Sequence, residues 1–177
     1  MRMEKLTNQL QSALSEAQSI AIGNDHTAIE SEHLLLALLD QQGGSVRPIL
    51  NRAGFDVSGL QHQFNEQLEK LAQVKTPTGE ASMSQGLGRL FNLADRAAQK
   101  NHDQYISSET LLKVALGDAG YLGKILSRFG DIKKANEVIA SVRGVPMAFR
   151  PLKAPERKLL RGFFVYMCSK IPLPVML

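Results

Sequence analysis

A chain of 177 residues with 44% apolar and 21% charged residues has the composition of a soluble globular protein with one core, and is short for an enzyme with separate cofactor and substrate domains. No apolar run approaches the roughly 20 residues that span a bilayer, "MRMEKLTNQLQ" lacks an apolar signal region, and the lone Cys168 has no internal disulfide partner, so a cytoplasmic protein is expected. The pI of about 9.3 does not point to nucleic acid: residues 1–144 hold 15 basic and 16 acidic side chains, and the basic excess lies in residues 145–177.

Leu6, Leu10, Ala13, Leu14, Ala17 and Ala21 recur at three- and four-residue steps, the buried stripe of a first helix that Gly23 and Asn24 end. Leu34, Leu35, Leu38 and Leu39 predict a second helix closed by Gly43 and Gly44. Val46, Ile49 and Leu50 predict a short third, with Pro48 in its first turn. Leu60, Phe64, Leu68 and Leu71 mark a fourth, and "KTPTGEAS" (residues 75–82) has the composition of a linker. The pattern then restarts with Leu87, Leu90, Phe91, Ala94 and Ala98, followed by Leu111, Leu112, Ala115 and Leu116, then Leu122, Ile125 and Leu126, then Ile132, Ala135, Ile139 and Val142. No segment alternates with a strand's period of two.

The second set copies the first. At an offset of 77, Leu10 aligns with Leu87, Leu14 with Phe91, Asn24 with Asn101, Ile29 with Ile106, Ser31 with Ser108 and Glu32 with Glu109; after a one-residue slip, Ile49-Leu50 aligns with Ile125-Leu126 and Gly54 with Gly130. Two copies are too few for a solenoid. The expected fold is therefore all-α: two pseudo-repeats of four helices, residues 1–74 and 82–144, packed as one globular domain over residues 1–144. Residues 145–177 carry five of the seven prolines and a net charge of +5, which predicts an irregular, disordered basic tail.

The residues that would carry chemistry are missing. There is no phosphate-binding "GxxxxGK[ST]" string and hence no nucleotide cofactor to expect; His26, His33, His62 and His102 lack metal-ligand spacing, and no "GxSxG" elbow occurs. His33 within "SEHLLL" reads as a helix residue. No cofactor, no metal and no catalytic activity are expected.

The paired frames "ESEHLLLALL" and "SSETLLKVAL", the opening "EKLTNQLQSALSEAQSIAI", the turn "QQGGSVRPIL" and "NHDQYISSE" resemble the amino-terminal repeat domain of Clp chaperones, in its ClpB-type disaggregase form, over about residues 1–144. The resemblance implies a non-catalytic domain that captures unfolded or aggregated polypeptide and passes it to a Clp ATPase ring. It also implies substrate-engaging roles for Thr7, Asp103 and Glu109. Each has a competing local role: Thr7 as a helix cap, Asp103 as a turn former, Glu109 as a first-turn acid favoured by the helix dipole.

Repeat alignment adds an apolar surface. Leu93 aligns with Glu16, and Ala97, one turn on, aligns with Ile20, so Leu93 and Ala97 are candidates for a shallow groove between the repeats, against local core packing for each residue alone. Residues 145–177 do not continue the family pattern into a nucleotide-binding domain. Two other readings compete with a substrate-binding module: a truncated remnant of a disaggregase gene, and a surface-binding protein acting through the basic tail.

Overall fold

The computed structural model describes residues 3–74 and 81–143. The expected tail and most of the expected linker lie outside them. A 3-10 turn (Met3–Lys5) leads into α1 (Asn8–Gly23), followed by β1 (Ala28–Ile29), α2 (Ser31–Asp40), α3 (Val46–Arg52) and α4 (Val57–Glu69). After residue 80 come β2 (Ser82–Met83), α5 (Gln85–Lys100), α6 (Ser108–Leu116), α7 (Tyr121–Phe129) and α8 (Ile132–Val142). Eight α-helices stand where the periodicity placed them among the described residues.

Local chemistry starts the helices. The Thr7 hydroxyl accepts from the Leu10 amide at 3.4 Å, and Ser84, its partner in the alignment, accepts from Leu87 at 3.2 Å. Asp56 and Asp131 likewise cap α4 and α8, and Ser107 caps α6. The aligned glycines meet different demands. Gly54 has φ +81°, which favours glycine after α3, whereas Gly130 is extended and lies so close to the Phe55 ring that a β-carbon would collide with it.

One apolar core runs through both halves. Leu10, Leu34, Leu60, Phe64, Leu87, Phe91, Leu111, Leu112 and Leu126 are fully buried, and the aligned leucine pairs Leu34-Leu35 and Leu111-Leu112 occupy it twice. Between the halves α3 packs on α8 and α4 on α7, contacts that exchange under the repeat alignment. The pairing is pseudo-two-fold.

The strands correct the expectation that no strand is present. β1 and β2 pair in parallel, Ala28 with Ser82 and Ile29 with Met83, and an isolated parallel bridge joins Leu6 to Ile106. Ser82, expected in the linker, belongs to this pair. These contacts are copies of each other: the Thr7 N–H donates to the Ile106 carbonyl at 3.0 Å, and the Ser84 N–H donates to the Ile29 carbonyl at 3.1 Å. A two-residue strand is too short to show alternation, so periodicity could not reveal it. Each repeat sends the segment before its first helix to pair with the segment before the other's second helix.

Because the two caps occupy equivalent positions, Thr7→Ala and Ser84→Ala should each lower unfolding free energy by about 1 kcal/mol in urea denaturation. Unequal losses would show that the halves are not energetically equivalent at their entry points.

Candidate functional site

The second-half helices and the start of α2 enclose a cleft of about 160 Å³. Glu30, Ser31 and Glu32 form one wall, Arg89, Leu90 and Leu93 of α5 another, and Asp118, Tyr121 and Leu122 the third. It is therefore a junction of the two repeats. Leu93 is 40% exposed and Tyr121 52% exposed, whereas Leu90 and Leu122 are buried beneath them. Arg89 reaches Asp118 at 3.8 Å on the rim. A second hollow, lined by Gln67, Leu68 and Leu71, shares Glu30, Glu32 and Tyr121 with the first.

The acidic wall is electrostatically strained. Burial pushes the Glu32 carboxyl above its ordinary range and the neighbouring Glu30 charge adds to this, against a backbone hydrogen bond that favours the ionised form. The Tyr121 phenol is also raised, first by desolvation and then by the charge of Glu32, which places those two groups within reach of each other.

The five sequence-derived residues do not form one site. Leu93 lines the cleft. Ala97, one turn further along α5, is half-buried and is not among the lining residues. Asp103 and Glu109 share Arg143 instead, and Thr7 meets the chain that joins them at Ile106. Thr7 is the cap of α1 and bonds Ile106 through its amide. Asp103 pairs with Arg143, the residue that follows α8, and both side chains are largely buried. Burial works to raise Glu109 as well, but the Ser45 and Ser107 hydroxyls, a backbone bond and the Arg143 charge together hold it below the ordinary carboxylate range.

Glu32 and Glu109 thus occupy aligned positions and titrate in opposite directions. Burial acts on both, and the difference comes first from the Ser45 and Ser107 hydroxyls at Glu109 and last from the charge of Arg143, while Glu32 has the Glu30 charge beside it. In the fourth helices Asp56 and Asp131 both cap and Phe64 and Ile139 both fill the core, and matching those pairs, after a second one-residue slip, puts Leu68 opposite Arg143. Where the second half supplies a guanidinium, the first supplies a buried leucine.

The aligned hollow of the first half has a different lining, with Ala13 and Ala37 at its base in place of an exposed leucine and tyrosine. Glu16 stands opposite Leu93 in a hollow it shares with Ser12, Asp40 and Gln41, and the Gln41 side chain donates to the Gln9 carbonyl at 2.9 Å. Glu30, Glu32 and Tyr121 were missed by sequence reasoning. Tyr121 aligns with the small polar Ser45, a mismatch of the kind that singled out Leu93 and could have found it.

The Clp repeat (R) N-terminal domain family matches residues 5–129. The chain belongs to the Clp repeat N-terminal domain family. Among its relatives, the chaperone protein ClpB of Pseudomonas putida is 50% identical over 145 residues, 81% of this chain and 17% of that protein. The ClpB of Vibrio cholerae is 42% identical over 166 residues, 93% of this chain and 19% of that protein. This second alignment is too long to stop at residue 144, so it takes in part of the segment that composition set apart. The chain spans less than a fifth of the length of either relative.

Solved Clp N-domains share the fold. The Hsp104 N-terminal domain from Candida albicans superposes with a TM-score of 0.69 at 18% identity, covering 80% of this chain and 93% of that one. A ClpV N-domain, solved as a complex with a VipB peptide, gives 0.62 at 21% identity, with 78% and 87% covered. Among the described residues of this N-domain, no helix is long and apolar enough to cross a membrane.

The opposed environments can be read by carbon NMR of the side-chain carboxyls. Glu32 should titrate above its ordinary value and Glu109 below it, and Arg143→Gln should move Glu109 upward while leaving Glu32 in place. The stability signs are opposite too. Glu109 contributes stability that is lost as pH falls through its depressed value, whereas the penalty at Glu32 is relieved as pH falls through its raised one.

Proposed function

We propose that this N-domain is a non-catalytic binding module that holds extended, partly apolar segments of unfolded or aggregated polypeptide in the cleft between its repeats. The observation that carries the reading is the exposure of Leu93 and Tyr121 over an apolar floor at a junction where the aligned half has Glu16 and Ser45. Two exposed side chains over one apolar floor make a patch that a partner can cover, and burying each further contributes about 1–2 kcal/mol. Two such contacts in a shallow cleft give weak, sequence-tolerant capture, which suits a client that must be passed on.

That a ClpV N-domain has been solved with a peptide supports the reading for this fold. Family membership supports a Clp ATPase ring as the onward partner. Thr7, Asp103 and Glu109 lie outside this cleft, and their part in the reading is a secondary contact for the polar backbone of the same client. Asp103 and Glu109 already face Arg143, so any such contact competes with an internal partner.

Leu93→Glu copies the aligned residue onto an exposed helical position and should leave the fold intact while weakening binding of an unfolded polypeptide at least tenfold. Titration with casein, followed by amide and methyl NMR, should shift Leu93, Tyr121 and Leu122 together. Shifts confined to Thr7, Asp103 and Glu109 would move the site, and unchanged affinity in the variant would sink the cleft.

A further inference from the structure

Every helix start leaves amide donors without intrahelical acceptors, and at α2 the Glu30 amide is answered by a histidine. Its N–H donates to His33 Nδ1 at 2.9 Å. An amide can only donate, so Nδ1 carries a lone pair and the His33 proton sits on Nε2. That nitrogen lies 2.9 Å from His26 Nδ1, which must then accept, leaving the His26 proton on its own Nε2. One run of donors and acceptors fixes both tautomers.

Both rings are buried, His33 fully and His26 nearly so. His26 comes from the turn between α1 and β1, where its backbone bonds the Ala21 carbonyl and bridges Gln73, so the run ties α2 to the end of α1 and to the chain leaving α4. We propose that the His26–His33 pair is a positioning device for the cleft: it holds Glu30, and with it the Glu30–Glu32 wall, through an acceptor that exists only while both rings are neutral.

A proton added to either ring breaks the run. On His33 it faces the Glu30 N–H; on His26 it faces the His33 Nε2–H. Of the charged groups nearby, Glu30 and Glu32 lie on the start of α2 and Asp25 beside His26 in the turn, with Arg89 of α5 and Tyr121 of α7 across the cleft. None of these carboxylates is among the groups that act on His33. Burial first, and the neighbouring His26 second, lower its pKa to about 4. The neutral form is thus favoured by folding, and the contribution is complete above pH 6.5 and drains away as pH falls from there towards 4. In the second repeat the aligned positions are Asp103 and Thr110, with Ser107 as an ordinary cap, so only the half that lends its wall to the cleft carries the device.

His33→Gln separates positioning from burial, because a Gln side chain at this helix position can accept the same amide bond and does not titrate. Nitrogen NMR of the imidazoles at pH 7 should show His33 protonated on Nε2 alone. As pH falls from 6.5 towards 4, amides of residues 30–34 should exchange at least tenfold faster in the wild type, and the Leu93 methyl shift should follow. Both changes should vanish in His33→Gln, while His33→Ala at pH 7 should resemble the acid wild type. An Nδ1–H tautomer, or the same pH profile in His33→Gln, would overturn the proposal. The link to capture rests on the function proposed above. If the amide and methyl profiles behave as stated but casein affinity stays flat from pH 7 to 5, the positioning role stands and the cleft as binding site fails.

Discussion

The structure depends on a reciprocal exchange of backbone hydrogen bonds. Thr7 to Ile106 and Ser84 to Ile29 are the same bond made twice, each joining the entry of one repeat to the interior of the other. Neither repeat can satisfy these groups alone, and an unpaired buried amide costs about 1–3 kcal/mol. The exchange brings the starts of α2 and α5 together in one half and of α6 and α1 in the other. Clefts at the junction follow from that arrangement, so the binding surface proposed here is a consequence of how duplication was closed.

Once two equivalent junctions exist, their side chains are free to diverge. One has Glu16 and a glutamine hydrogen bond at its edge; the other keeps Leu93 and Tyr121 exposed. One glutamate of the shared frame has Arg143 beside it, while the other faces Glu30 and a buried leucine where the guanidinium would be. A single fold thus presents one neutralised acidic site and one desolvated acidic site. The histidine pair supports the second, and the aligned Asp103 was released to hold Arg143 instead.

Much of the fold was legible because helical periodicity reports burial directly. The stripe through Leu10, Ala13, Leu14 and Ala17 is buried as read, and the copied leucines of α2 and α6 lie in one core. The strands were not legible, since two residues carry no period. Leu93 was legible because repeat alignment makes an internal comparison of exposure. Ala97, whose counterpart Ile20 is also apolar, entered only as the residue one turn beyond Leu93, and it sits outside the lining of the cleft. Glu30 and the His26–His33 contact had no sequence signal, for both depend on where a turn returns to a helix.

By itself the sequence determined the helices, their duplication and the residues of the common core, because those follow from local spacing and the burial of apolar faces. It also determined which positions differ between the copies. Only the tertiary structure decided that Asp103 and Glu109 share Arg143 while Leu93 lines a cleft apart from them, and that Glu32 lacks the cation Glu109 has. Those outcomes depend on long-range pairing across the pseudo-two-fold, where residues far apart in the chain meet and the electrostatic environment of a carboxylate is set by neighbours that spacing does not name.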